Sequence, residues 1–77
     1  MPHVILKMLE GRTEEQKQAL TDALTKAVTE TLGCGDDIVS VGIEDFKDEE
    51  WMAKVYEPDI RQRPGTIYRM PGYGPEG

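Results

Sequence analysis

The chain has 77 residues, one cysteine, one histidine and a net charge of -6, from 15 Asp and Glu against 9 Lys and Arg. A domain this small buries only about 60% of its unfolded surface and leans on disulfides, metals or partner chains. Cys34 has no partner for an intrachain disulfide and His3 no companion for a structural zinc site, which leaves self-association. The acidic balance disfavours a nucleic-acid partner.

In chain order, Pro2 to Leu9 comes first. It carries Val4, Leu6 and Met8 on one face and Ile5 and Leu9 on the other, and Glu10-Gly11-Arg12 follows. Length and a β-branched start predict a strand over about 3-9, covered on two sides. Thr13-Glu14-Glu15-Gln16 has the form of a capping box, with two carboxylates at the positive end of the helix dipole. It predicts a helix over about 14-32 whose apolar stripe is Leu20, Ala23, Leu24, Ala27, Val28, Thr31 and Leu32. Gly33 stops it.

Past the 33-37 loop, Val39, Val41 and Ile43 alternate with Ser40, Gly42 and Glu44, which predicts a strand over about 38-45. Strand, helix and strand in this order form a right-handed crossover with parallel strands, an α/β fold. One face of such a sheet stays uncovered, and a second copy meets it most simply. Asp48 is expected to cap a short helix over about 49-57, with Trp51, Met52 and Val55 as its apolar contacts and Pro58 as its end. Residues 58-77 read as an extension of a single domain 1-77. Within it Thr66-Met70 is a candidate short strand, and Pro71-Gly77 frays unless docked.

The chain shows no glycine-rich phosphate loop, nucleophile elbow, metal-ligand cluster or Ser-His-Asp set, so no cofactor and no metal are expected. The longest apolar run, Val4-Ile5-Leu6, is far too short for a membrane helix. No secretory signal opens the chain, and a cytoplasmic location is expected. Pro2 stands out. It either opens a strand, where its missing N-H costs little, or, with Met1 removed, presents a secondary amine able to act as a base near neutral pH. Arg12 by itself reads as a solvated residue near a helix start, and Trp51 as a core or interface filler. His3 reads as a packing or interface residue and Cys34 as an ordinary free thiol.

Pro2, the apolar strand and Leu9-Glu10-Gly11-Arg12-Thr13-Glu14-Glu15-Gln16-Lys17 resemble the N-terminal half of the 4-oxalocrotonate tautomerase family. The likeness runs from residue 2 to about 46. Asp48-Glu49-Glu50-Trp51 and Pro71-Gly72-Tyr73 look like the longer bacterial subgroup typified by the tautomerase active on phenylpyruvate.

The resemblance implies a β-α-β tautomerase-like fold and a cofactor-free keto-enol isomerase. In it Pro2 is the base and conjugate acid, Arg12 holds a substrate carboxylate and Trp51 is the apolar wall beside the proline. It also implies an active site at a subunit boundary, in a homodimer as in the longer members or a hexamer as in the short ones. Where diacid-processing members carry a second arginine, this chain has Ser40. A hydroxyl can bond a carbonyl but cannot neutralise a second carboxylate. The expected substrate is therefore a 2-keto monoacid or its enol, unless Arg61, Arg63 or Arg69 supplies the charge. The alternatives are hydration or dehalogenation on the same scaffold, for which no residue clearly activates water, and a non-catalytic self-associating module.

Overall fold

In the computed structural model, which describes residues 1-75, His3-Leu9 forms strand β1. Residues 76 and 77, the end of the expected extension, lie outside the described residues. Val4, Leu6 and Met8 are half-buried while Ile5 and Leu9 are exposed, so only one face of the strand is covered.

Helix α1, Glu14-Leu32, starts at a reciprocal cap. The Gln16 N-H donates to Thr13 Oγ1 and the Thr13 N-H donates to Gln16 Oε1, each at 3.0 Å. It ends where Gly33 turns left-handed at φ 69° and sends its N-H to the Thr29 carbonyl. A side chain there would be strained.

The expected stripe divides. Leu24 and Val28 are half-buried, with Thr21, Thr25 and Thr29 completing the covered face, whereas Leu20, Ala23, Ala27, Thr31 and Leu32 are exposed. The Thr21 and Thr25 hydroxyls donate to the carbonyls of Lys17 and Thr21, one turn back, at 2.9 and 2.8 Å. Their polar atoms are thereby satisfied within the helix, and threonine can serve on a covered face.

Asp36-Ile38 forms a single 3-10 turn, closed by the Val39 N-H on the Asp36 carbonyl, before strand β2, Ser40-Phe46. Ile38 therefore belongs to a turn and not to the strand expected from 38. The two strands form a two-stranded parallel sheet. The Ser40 N-H donates to the Pro2 carbonyl at 3.2 Å, so both strands start side by side. Lys17 on α1 pairs with Asp45 at the end of β2, and that hydrogen bond holds the Lys17 ammonium above the ordinary lysine value.

Two compact units result, Met1-Asp45 and the residues from Phe46 onward. In the second, Lys47 and not Asp48 is the cap residue of helix α2, Asp48-Trp51, and the Glu50 carboxylate accepts the Lys47 N-H. The helix does not stop at Pro58. Met52-Arg61 continues it with wider π-helical turns, and the Gln62 N-H reaches five residues back to the Glu57 carbonyl. In an α-helix the Pro58 ring would collide with the carbonyl four residues earlier. The wider turn relieves that clash.

It also shifts the phase of the buried face. Val55 and Tyr56 are buried, at 4% and 0% exposure, and Met52, expected inside, is 43% exposed. Residues 66-70 form no strand. Pro64-Thr66 is a 3-10 turn, and the Ile67 N-H closes it on Pro64. Among the described residues no helix is long and apolar enough to cross a membrane.

Candidate active site

Pro2 sits just ahead of β1. It is half-buried, its carbonyl is fixed by the Ser40 N-H, and Met1 before it is fully exposed. The strand pairing therefore brings two of the four expected site residues, Pro2 and Ser40, together by the backbone alone.

The Ser40 hydroxyl is not idle. It lies 2.6 Å from His3 Nδ1, in an exposed pair spanning both strand starts. A neutral imidazole can accept at Nδ1 or donate there, so the hydroxyl and the ring share one proton between them. His3 on β1 thus has a defined partner beyond packing. Strand period puts His3 on the opposite face from Pro2, but it carries no sign that a parallel neighbour starts at Ser40.

Arg12 lies elsewhere. It is exposed, between Gly11, at φ 117°, and the capping residue Thr13. Together with Gln16, Ala19, Leu20 and Ala23 it lines an open groove of about 340 Å³ on the first turns of α1. A guanidinium beside an alanine-leucine ledge suits a carboxylate on an apolar body. The seven residues of β1 stand between Arg12 and Pro2 of the same chain. At about 3.3 Å per strand residue the two are roughly 20 Å apart. One chain does not bring them together.

Trp51, in the second unit, closes α2 and is half-buried. Its indole meets the Phe46 ring edge-on, with centroids 6.1 Å apart and planes at 83°. Its Nε1-H donates to the Tyr73 hydroxyl at 2.8 Å. Arg61 is engaged by Glu57 at 3.0 Å, one turn away, while Arg63 and Arg69 are exposed. Sequence reasoning missed Tyr56 and Tyr73. The available signal was an aromatic ring set between two glycines in a tail otherwise made for turns, which only docking explains.

No group of three or more His, Cys, Asp or Glu able to hold a metal occurs among the described residues. The candidate groups taken singly are the Pro2 nitrogen, an amide while Met1 is attached, the Arg12 guanidinium, the Ser40 hydroxyl and the Trp51 indole. A guanidinium can bind a carboxylate, and a hydroxyl can donate to a carbonyl.

Comparison with known proteins gives the family. The tautomerase enzyme family matches residues 2-56. A probable tautomerase of Xylella fastidiosa is 42% identical over 74 residues, 96% of this chain and 90% of that protein. Tautomerase PptA of Cronobacter sakazakii is 32% identical over 74 residues, 95% of this chain and 97% of its own length. Among solved structures, a 4-oxalocrotonate tautomerase isozyme of Methylibium petroleiphilum superposes with a TM-score of 0.63 at 40% identity. That match covers 65% of this chain and 81% of the isozyme.

Proposed function

Because the chain belongs to the tautomerase family and is an isomerase that interconverts keto and enol forms, we propose that Pro2, once Met1 is removed, is the base and conjugate acid of the reaction. The placing of Pro2 carries this. It is half-buried and pinned at the head of β1, behind a Met1 that is fully exposed.

With Met1 attached, the Pro2 nitrogen is an amide whose lone pair is delocalised into the carbonyl, and it takes no proton. Freed, it is a secondary amine. Amino termini titrate near ~7.7–8.0 in model compounds, and desolvation or a neighbouring cation favours the neutral form that the reaction needs. Neutral Pro2 removes the enol O-H proton, the C2-O bond becomes a carbonyl, and C3 takes a proton from the protonated amine. One proton leaves oxygen and one arrives at carbon. Pro2 ends as it began.

Arg12 holds the substrate carboxylate through paired hydrogen bonds. Since β1 keeps Arg12 roughly 20 Å from its own Pro2, the arginine serving a given proline comes from a second copy. Apolar side chains left in the open support assembly, with Ile5 at 54% and Leu32 at 64% exposure. A homodimer is the simplest assembly, and a hexamer is the alternative.

Trp51 supplies the apolar wall. Ser40, a neutral group already shared with His3, favours a 2-keto monoacid such as phenylpyruvate over a dicarboxylate. The Xylella relative and PptA match through nearly the whole chain, which supports placement with the longer, phenylpyruvate-type members. The setting is cytoplasmic, where Cys34 stays reduced.

Pro2→Ala tests the assignment by ketonisation of enol-phenylpyruvate. The expected loss is about 10²-fold or more, with the variant assembling as the wild type does. Unchanged turnover overturns the role of Pro2. Much faster turnover of 2-hydroxymuconate by the wild type overturns the monoacid assignment.

A further inference from the structure

We infer that Tyr73 is a positioning residue. The C-terminal segment around it sets the attitude of the Trp51 indole, and so selects which substrate side chains the enzyme accepts. This rests on the proposed role of Trp51 as the apolar wall.

An indole has one polar atom, a donor only. In Trp51 that atom is taken by a hydroxyl 22 residues downstream, Nε1-H to Tyr73 Oη at 2.8 Å. The Phe46 ring meets the same indole edge-on, so a ring contact and a hydrogen bond together fix its rotation. Tyr73 is itself held. Its ring packs on Tyr56, with centroids 5.8 Å apart and planes tilted by 49°, and Tyr56 is completely buried.

The next residue admits nothing larger than glycine. Gly74 has a φ of 87°, and a Cβ there would fall 2.6 Å from Cε2 and Cζ of the Tyr56 ring and 2.7 Å from its hydroxyl. The backbone must lie directly on Tyr56 for the Tyr73 hydroxyl to reach the indole. Buried tyrosine, close-packed glycine and hydrogen-bonded indole form one chain of dependence. A tail that served only to cover apolar surface would require neither the glycine at that φ nor the directed hydrogen bond.

Trp51 is the only tryptophan in the chain, so tryptophan fluorescence reports the surroundings of this indole. Tyr73→Phe keeps the ring and removes the hydroxyl. Acrylamide should then quench Trp51 more readily, and KM for enol-phenylpyruvate should rise about three- to tenfold, the worth of one hydrogen bond. The expected change in kcat is less than about twofold, because the acid-base group is untouched. KM for the enol of pyruvate, which has no ring to rest on the indole, should stay as it was.

Gly74→Ala keeps the Tyr73 hydroxyl but forces the backbone off Tyr56. It should reproduce both the quenching and the KM change. Unaltered quenching in Tyr73→Phe, or equal KM changes for the two substrates, overturns the inference. Failure of the catalytic reading is separately visible, because Pro2→Ala would then retain turnover while Tyr73→Phe still altered quenching and the affinity for phenylpyruvate measured by Trp51 titration.

Discussion

Tyr56 shows how one side chain can be well placed for packing and badly placed for polarity. Its ring is wholly buried and carries Tyr73 and Gly74, yet its hydroxyl is buried without a hydrogen-bond partner among the described residues. A buried hydroxyl stripped of water and left unpaired costs free energy that a phenylalanine does not incur. Tyr56→Phe should therefore leave stability unchanged or raise it by up to about 1 kcal/mol, read from the urea midpoint. A loss of more than that amount would mean that the hydroxyl has a partner in solution. At Ser40 polarity and position agree. The same residue fixes the Pro2 carbonyl with its N-H and meets His3 with its hydroxyl. Neither contact could be read from spacing, because both depend on which residue of β2 starts beside Pro2.

Among the elements, α2 depends on a single carboxylate. Glu50 accepts the Lys47 N-H at the helix start and pairs with Lys54 at 2.6 Å, four residues on. The Lys54 hydrogen bond, followed by the Lys47 N-H, pulls the Glu50 carboxyl below its ordinary range. A carboxyl with a depressed folded value stabilises the fold above its unfolded value and loses that contribution as pH falls through the folded one. Melting temperatures of wild type and Glu50→Gln should thus differ at neutral pH and converge in acid, below the ordinary glutamate range. A difference that persists there would assign the effect to packing.

The elements before residue 46 were legible because their signals are local. A capping box, a glycine stop and two kinds of periodicity lie in adjacent residues, and β1 and α1 begin and end where those signals put them. Later in the chain the helix runs past Pro58 and residues 66-70 form no strand. Pro58 reads as a stop because an α-helix does not readily continue through it, and the wider π-turn that tolerates the ring has no sequence pattern of its own. That turn moved Tyr56 inward and Met52 outward.

For the molecule as a whole, burial does not close within one chain. Val55 and Tyr56 are the only buried residues among those described, and the Met1-Asp45 unit contains none. Ile5, Leu9, Leu20 and Leu32 are exposed on β1 and α1, and at about 25 cal/mol per Å2 their burial favours association. The proposed site leads to the same place, since Pro2 precedes β1 and Arg12 follows it. The sequence singled out both residues as candidates. It could not show that they are far apart in one chain, because distance along a strand becomes meaningful only once the strand is known to be straight and unbroken.

The most direct measurement mixes two variants, each expected to be inactive alone. Pro2→Ala and Arg12→Ala chains, each assayed alone and then after co-refolding in equal amounts, are compared in ketonisation of enol-phenylpyruvate. If each site draws its proline and arginine from different copies, random pairing into dimers regenerates about a quarter of the wild-type activity. Activity in the mixture no greater than the average of the two parents would contradict a shared site.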